Sequence, residues 1–115
     1  MIYTSYFAKM RRMTPEQKAV CVSIARFTPK GIDIPGYDPV MPSKSILLRY
    51  KEDSDVDAYT VNYEGQLSRL NVDKIAADLD GKILLCYEKS SDFCHRHLLA
   101  NWLNRYGYDC KELKI

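Results

Sequence analysis

Five side chains able to bind, donate a proton or attack fall within eleven consecutive positions: Cys86, Glu88, Cys94, His95 and Arg96. A carboxylate beside an imidazole can act as a general base or hydroxyl acceptor, while the imidazole moves or orients a proton. Arginine holds phosphate through paired hydrogen bonds, and Arg26 offers a second guanidinium earlier in the chain. The expected catalytic groups are therefore Glu88 and His95. The expected ligand contacts are Ser5, Tyr6, Arg26, Cys94 and Arg96.

Each group has a second reading that the residues leave open. His95 can be a core histidine bonded to Glu88 or to a backbone carbonyl. Cys86 can be a small buried hydrophobe, Glu88 a solvated surface acid, and Arg26 the partner of an acid. Cys94 sits where a helix start favours a reactive thiol. A redox pairing with Cys86 requires the chain between them to fold back. Cys86, Glu88, Cys94 and His95 are all zinc-ligand types, but Cys-x7-Cys-His is no standard zinc spacing. No metal or cofactor is expected. No glycine-rich phosphate loop is present, so an anion site would rest on a helix N-terminus together with arginines.

The elements that must position these groups follow from patterning. Ile2–Phe7 is aromatic and β-branched and reads as a strand. Lys9–Lys18 is a polar connection with a helical turn around Thr14-Pro15-Glu16-Gln17. Ala19–Phe27 is apolar or small on both alternate faces, as in a central parallel strand. Thr28–Pro42 is proline-rich loop, long enough to cover a site. Ser43 caps a helix through Ile46, Leu47, Leu48 and Tyr50. Val56, Tyr59, Tyr63, Leu67 and Leu70 recur at helical spacing, and their tyrosines read as packing. Asn71 caps a third helix with Ile75 and Leu79 inward.

Lys82–Glu88 is the clearest strand, and its Cys86 and Glu88 share one side. Ser90, Ser91 or Asp92 caps a helix over 93–106 that Gly107 closes. On that helix His95 precedes Leu99 by four and Trp102 by seven, which turns it inward toward Glu88. Arg96, one step round, falls nearer the rim. Tyr108–Ile115 reads as an edge strand. Strands separated by helices predict one α/β domain over residues 1–115 with a mainly parallel sheet. Ligands in such sheets bind beyond the carboxyl ends of the strands, where Ser5, Tyr6, Arg26, Cys86 and Glu88 all fall.

Composition sets outer limits. The 115 residues are 46% hydrophobic and 28% charged, a globular balance. A net charge of +2 is too small to imply nucleic-acid binding by charge alone, and Lys9, Arg11 and Arg12 read as a solvated turn. The segment from Met1 has no charged leader before an apolar run, and no apolar run suits a membrane helix. The expectation is a cytoplasmic protein whose four cysteines are reduced thiols, with no membrane partner.

Ile83-Leu-Leu-Cys-Tyr-Glu-Lys followed by Phe93-Cys-His-Arg-His-Leu-Leu-Ala-Asn-Trp-Leu resembles the family called domain of unknown function 488. Ile2-Tyr-Thr-Ser-Tyr-Phe and Val22-Ser-Ile-Ala-Arg-Phe-Thr-Pro-Lys resemble its first two strands, so the likeness covers nearly the whole chain. It implies a small Rossmann-like three-layer domain and carries no activity across. Its motif falls here on Cys86, Glu88, Cys94, His95 and Arg96, with Arg26 after the second strand. Members often have a longer loop after that strand than the proline-rich one here.

Two functions lead from the sequence, ahead of a zinc-stabilised fold and a redox role for Cys94. One is binding of, or action on, a phosphate-bearing ligand such as a nucleotide or nucleic-acid end at the 86–96 junction. The other is a non-catalytic protein-interaction module, its nine tyrosines suited to an interface and its Cys-His-Arg turn structural.

Overall fold

A computed structural model describes residues 1–87 and 93–115. The β-branched and aromatic run Ile2–Tyr6 forms β1, Cys21–Ser23 forms β2, the apolar run Ile83–Cys86 forms β3, and Cys110–Glu112 forms β4. They pair in the order β2-β3-β1-β4, and every pairing is parallel. Register sets Tyr6 beside Cys86 and Thr4 beside Glu112. Side chains at those positions therefore share a face of the sheet.

Among the described residues five α-helices make the crossovers: α1 (Pro15–Ala19), α2 (Lys44–Asp53), α3 (Val56–Ser68), α4 (Val72–Leu79) and α5 (His95–Arg105). Parallel crossovers are right-handed. Connections running in opposite directions across the sheet therefore cover opposite faces. One layer packs Tyr59, Tyr63, Leu67, Ile75, Leu79, Leu99 and Leu103 against Ile2, Val22, Leu84 and Cys86. The other packs Phe7 and Met13 against Cys21, Ala25, Ile83 and Leu85. The result is the small three-layer Rossmann-like α/β arrangement expected from the sequence.

Local signals place the helices. The Ser43, Asp55 and Asn71 side chains accept the backbone N–H of Ile46, Ala58 and Lys74 and start α2, α3 and α4. Thr14 and Gln17 form a reciprocal capping box at α1. Gly107, at φ 88°, takes the left-handed conformation that stops α5.

Two expectations need correction. The strand expected over Ala19–Phe27 is only Cys21–Ser23, because Ala19 completes α1. It also lies at the sheet edge, not in the centre. Its outer side is covered because the proline-rich loop pairs with it. Ser23 N–H donates to the Pro35 carbonyl at 2.8 Å, and Tyr37 N–H donates to the Ser23 carbonyl at 3.0 Å. The two faces of β2 are buried by the two layers, Val22 in one and Cys21 in the other, as they would be in a central strand.

Candidate functional site

The carboxyl ends of the parallel strands meet the N-terminus of α5. β3 ends at Cys86, and Cys94 is the N-cap of α5. Ser90, Ser91 and Asp92, expected as caps, lie outside the described residues, as does Glu88.

Arg96 is the best-anchored group of the site. It was expected near the rim, but it is 0% exposed. Its Nε and one terminal nitrogen donate to the two carboxylate oxygens of Glu112 at 3.1 and 3.0 Å. The other terminal nitrogen donates to Cys86 Sγ at 2.8 Å. Thr4 Oγ1 donates to Glu112 at 2.7 Å, and the guanidinium lies 5.5 Å from the Tyr6 ring centroid. β1, β3, β4 and α5 are thus tied at one point. The burial has a sequence cause: Arg96 precedes Leu99 by three and Leu103 by seven, so it shares their inward arc.

His95 is also inward, as its spacing predicted. Its Nε2 lies 2.8 Å from the Ile24 carbonyl oxygen. A carbonyl only accepts, so Nε2 carries the proton and the neutral ring keeps Nδ1 bare. Nδ1 faces Cys94 Sγ at 3.8 Å. Burial pushes the His95 pKa down to about 4; the Ile24 bond opposes this, and the Arg96 and His97 charges reinforce it. Near neutral pH His95 is therefore uncharged and turns an acceptor nitrogen toward Cys94, to which the thiol of a reduced Cys94 can donate.

The Cys86 and Cys94 sulfurs lie within bonding reach of each other, which sets this pair apart from the other two cysteines. Cys21 and Cys110 are free and buried. Burial raises both of their pKa values, that of Cys110 to about 12, with the Glu112 charge adding to its rise.

A cavity of about 190 Å³ opens beside this corner. Cys86, Cys94 and His95 lie on its wall, with Arg26 and the rings of Phe27, Tyr50, Tyr59, Tyr87 and Phe93. Tyr59 stacks edge-on with Phe93 at 5.0 Å and with Tyr50 at 5.2 Å between centroids. Arg26 is half-buried, and its Nε and one terminal nitrogen donate to the Pro42 carbonyl. Its third nitrogen has no hydrogen-bond partner among the described residues.

The structure thus brings Tyr6, Cys86, Cys94, His95 and Arg96 to one corner, with Arg26 across the cavity. Ser5 is directed into the opposite layer, beside Leu85. Its buried hydroxyl has no hydrogen-bond partner among the described residues. Sequence reasoning missed Glu112 and Thr4, whose part depends on the β1–β4 register. It also missed the ring wall formed by Tyr50 and Phe93.

This architecture defines a parallel α/β domain whose polar corner lies at the strand ends, where such sheets carry their sites. The chain belongs to the DUF488 family: a family model described as "DUF488-N3a: Active DUF488-N3 subclade" matches residues 5–107. No curated protein and no solved structure matches it. No helix among the described residues is long and apolar enough to cross a membrane.

Proposed function

We propose that this domain binds a phosphate-bearing ligand with an aromatic base, a nucleotide or a nucleic-acid end, in the cavity beside Cys94 and His95. The observation that carries the reading is the pairing of a ring-lined wall with one half-buried arginine. Base–aromatic stacking contributes about 1–3 kcal/mol per base, and the rings of Phe27 and Phe93 on the cavity wall offer such faces. Arg26 retains a nitrogen able to donate to a phosphate oxygen. Arg96 is committed to Glu112 and Cys86, so its part is to fix the corner beneath the ligand. Glu88 is proposed as the general base or hydroxyl acceptor, with His95 as the proton acceptor on the cavity wall. Pockets of this make-up, apolar with a few convergent polar groups, are the usual form of small-ligand sites.

The test is a thermal-shift and fluorescence titration with mononucleotides, the corresponding nucleosides and short 5′-phosphorylated oligonucleotides. Saturable stabilisation is expected, about 1.4 kcal/mol at ten times Kd. Nucleosides should bind more weakly than nucleotides, and Arg26→Gln should erase that difference. Absence of any shift at millimolar concentration across the whole set would refute the reading and leave the interaction-module alternative.

A further inference from the structure

We propose that Cys86 and Cys94 form a reversible dithiol–disulfide couple that exchanges electrons with low-molecular-weight disulfides entering the aromatic cavity. The proposal does not depend on the cavity's binding a nucleotide. Four features of the corner carry it. The two sulfurs lie within bonding reach of each other. Both residues line the aromatic cavity and are otherwise buried, at 0% and 2% exposed, so this opening is the route we assign to a reagent. Each sulfur has its own electrostatic partner. The buried Arg96 guanidinium donates to Cys86 at 2.8 Å, a contact that stabilises negative charge on sulfur. Cys94 caps an eleven-residue helix and faces the bare Nδ1 of His95. Cys21 and Cys110 have no comparable surroundings and serve as internal controls.

The chemistry balances as ordinary thiol–disulfide exchange. In the reduced protein the Cys94 thiol donates a hydrogen bond to the neutral His95 Nδ1, which orients it as its sulfur attacks one sulfur of the incoming disulfide RS–SR. The S–S bond of the reagent breaks, a mixed disulfide Cys94–S–S–R forms, and the first RS⁻ leaves with the proton that Cys94 gives up. Cys86, as thiolate against Arg96, then attacks Cys94 Sγ. The Cys86–Cys94 bond forms, and the second RS⁻ leaves and takes up the proton that Cys86 released. Two cysteines lose two electrons and two protons, and one small disulfide becomes two thiols. The reverse sequence, driven by excess small thiol, reduces the pair.

The experiment uses the whole chain in glutathione buffers of stepped oxidised-to-reduced ratio, without nucleotide. Samples are acid-quenched, alkylated under denaturation, and read by intact mass and peptide mapping. Two of the four thiols should disappear together, as a Cys86–Cys94 crosslink, and return when reduced glutathione is in excess. Cys21 and Cys110 should remain alkylatable throughout. Cys86→Ser should stop at one glutathione attached to Cys94. A wild-type protein whose Cys86 and Cys94 stay reduced in the most oxidising buffer overturns the proposal. So does a crosslink that excess reduced glutathione leaves intact, because the bond would then be purely structural. The wild-type arm decides the matter even if the variant does not fold.

Discussion

Replacing Glu112 by Gln removes one charge from a corner that holds a fully buried cation. Arg96 is 0% exposed, and two of its nitrogens are spent on Glu112. In the variant one of those nitrogens meets an amide N–H₂, donor against donor, and no carboxylate balances the guanidinium. Removing one partner of a buried ion pair costs about 3–5 kcal/mol. Glu112 is 30% exposed, so water relieves part of this and the lower figure, about 3 kcal/mol, applies. At roughly 4 °C per kcal/mol for a domain of this size, Tm should fall by about 12 °C. The assay is thermal and urea unfolding at neutral pH, with Glu64→Gln as control. Its Arg105 partner is 59% exposed, so that pair should cost about 1 kcal/mol or less. The double variant Arg96→Met/Glu112→Leu should recover most of the loss, since apolar residues of similar volume replace buried pairs at little cost. A Glu112→Gln loss no larger than the control's would refute the idea that Arg96 is confined at the strand ends.

His95 supplies a pH signature. Its folded pKa of about 4 lies below its ordinary 6.5, so the unfolded chain binds the proton more readily. Its contribution is complete above about pH 6.5 and is lost as pH falls toward 4, a swing of about 3 kcal/mol. Unfolding of His95→Gln, which retains an N–H for the Ile24 carbonyl, should lack that component between pH 4 and 6.5. An identical pH profile for the two proteins would count against a buried neutral imidazole. Tyr63 is 0% exposed and donates its hydroxyl to the Val40 carbonyl at 2.5 Å. Tyr63→Phe should therefore cost about 1–3 kcal/mol by stranding a buried acceptor, read as a lower urea midpoint with unchanged m-value.

The secondary elements were legible where local chemistry alone decides them. Ser43 and Asn71 sit one residue ahead of helical runs and cap them as expected. Ile83–Cys86 has too long an apolar run to be anything but buried. The position of β2 was not legible, because burial of both faces does not say whether a strand or a loop pairs with each edge. The proline-rich loop covers it by pairing Pro35 and Tyr37 with Ser23. The motif residues were legible as types, and His95 as an inward side chain. The rim position expected for Arg96 follows from setting it one step round from His95 alone, without its own spacing to the apolar residues beyond. Leu99 and Leu103 at three and seven residues beyond it carry the opposite message. Glu112 had no signal of its own: a glutamate in a short mixed segment becomes the partner of Arg96 only when β4 pairs with β1 in one register.

Stability alone does not account for this pair. A buried arginine and its carboxylate are a poor bargain beside a methionine and a leucine of similar bulk. What the apolar pair cannot supply is a positive charge 2.8 Å from the Cys86 sulfur, in surroundings dry enough to make that charge effective. The other sulfur has the complementary arrangement, an uncharged imidazole whose proton is held on the far side by Ile24. One sulfur therefore has a donor and the other an acceptor, and both adjoin the same opening. A purely structural crosslink needs neither partner, and a ligand pocket without thiol chemistry has no use for the difference between them. The asymmetry makes physical sense if the two sulfurs play different parts, with Cys94 meeting the reagent and Cys86 resolving the bond.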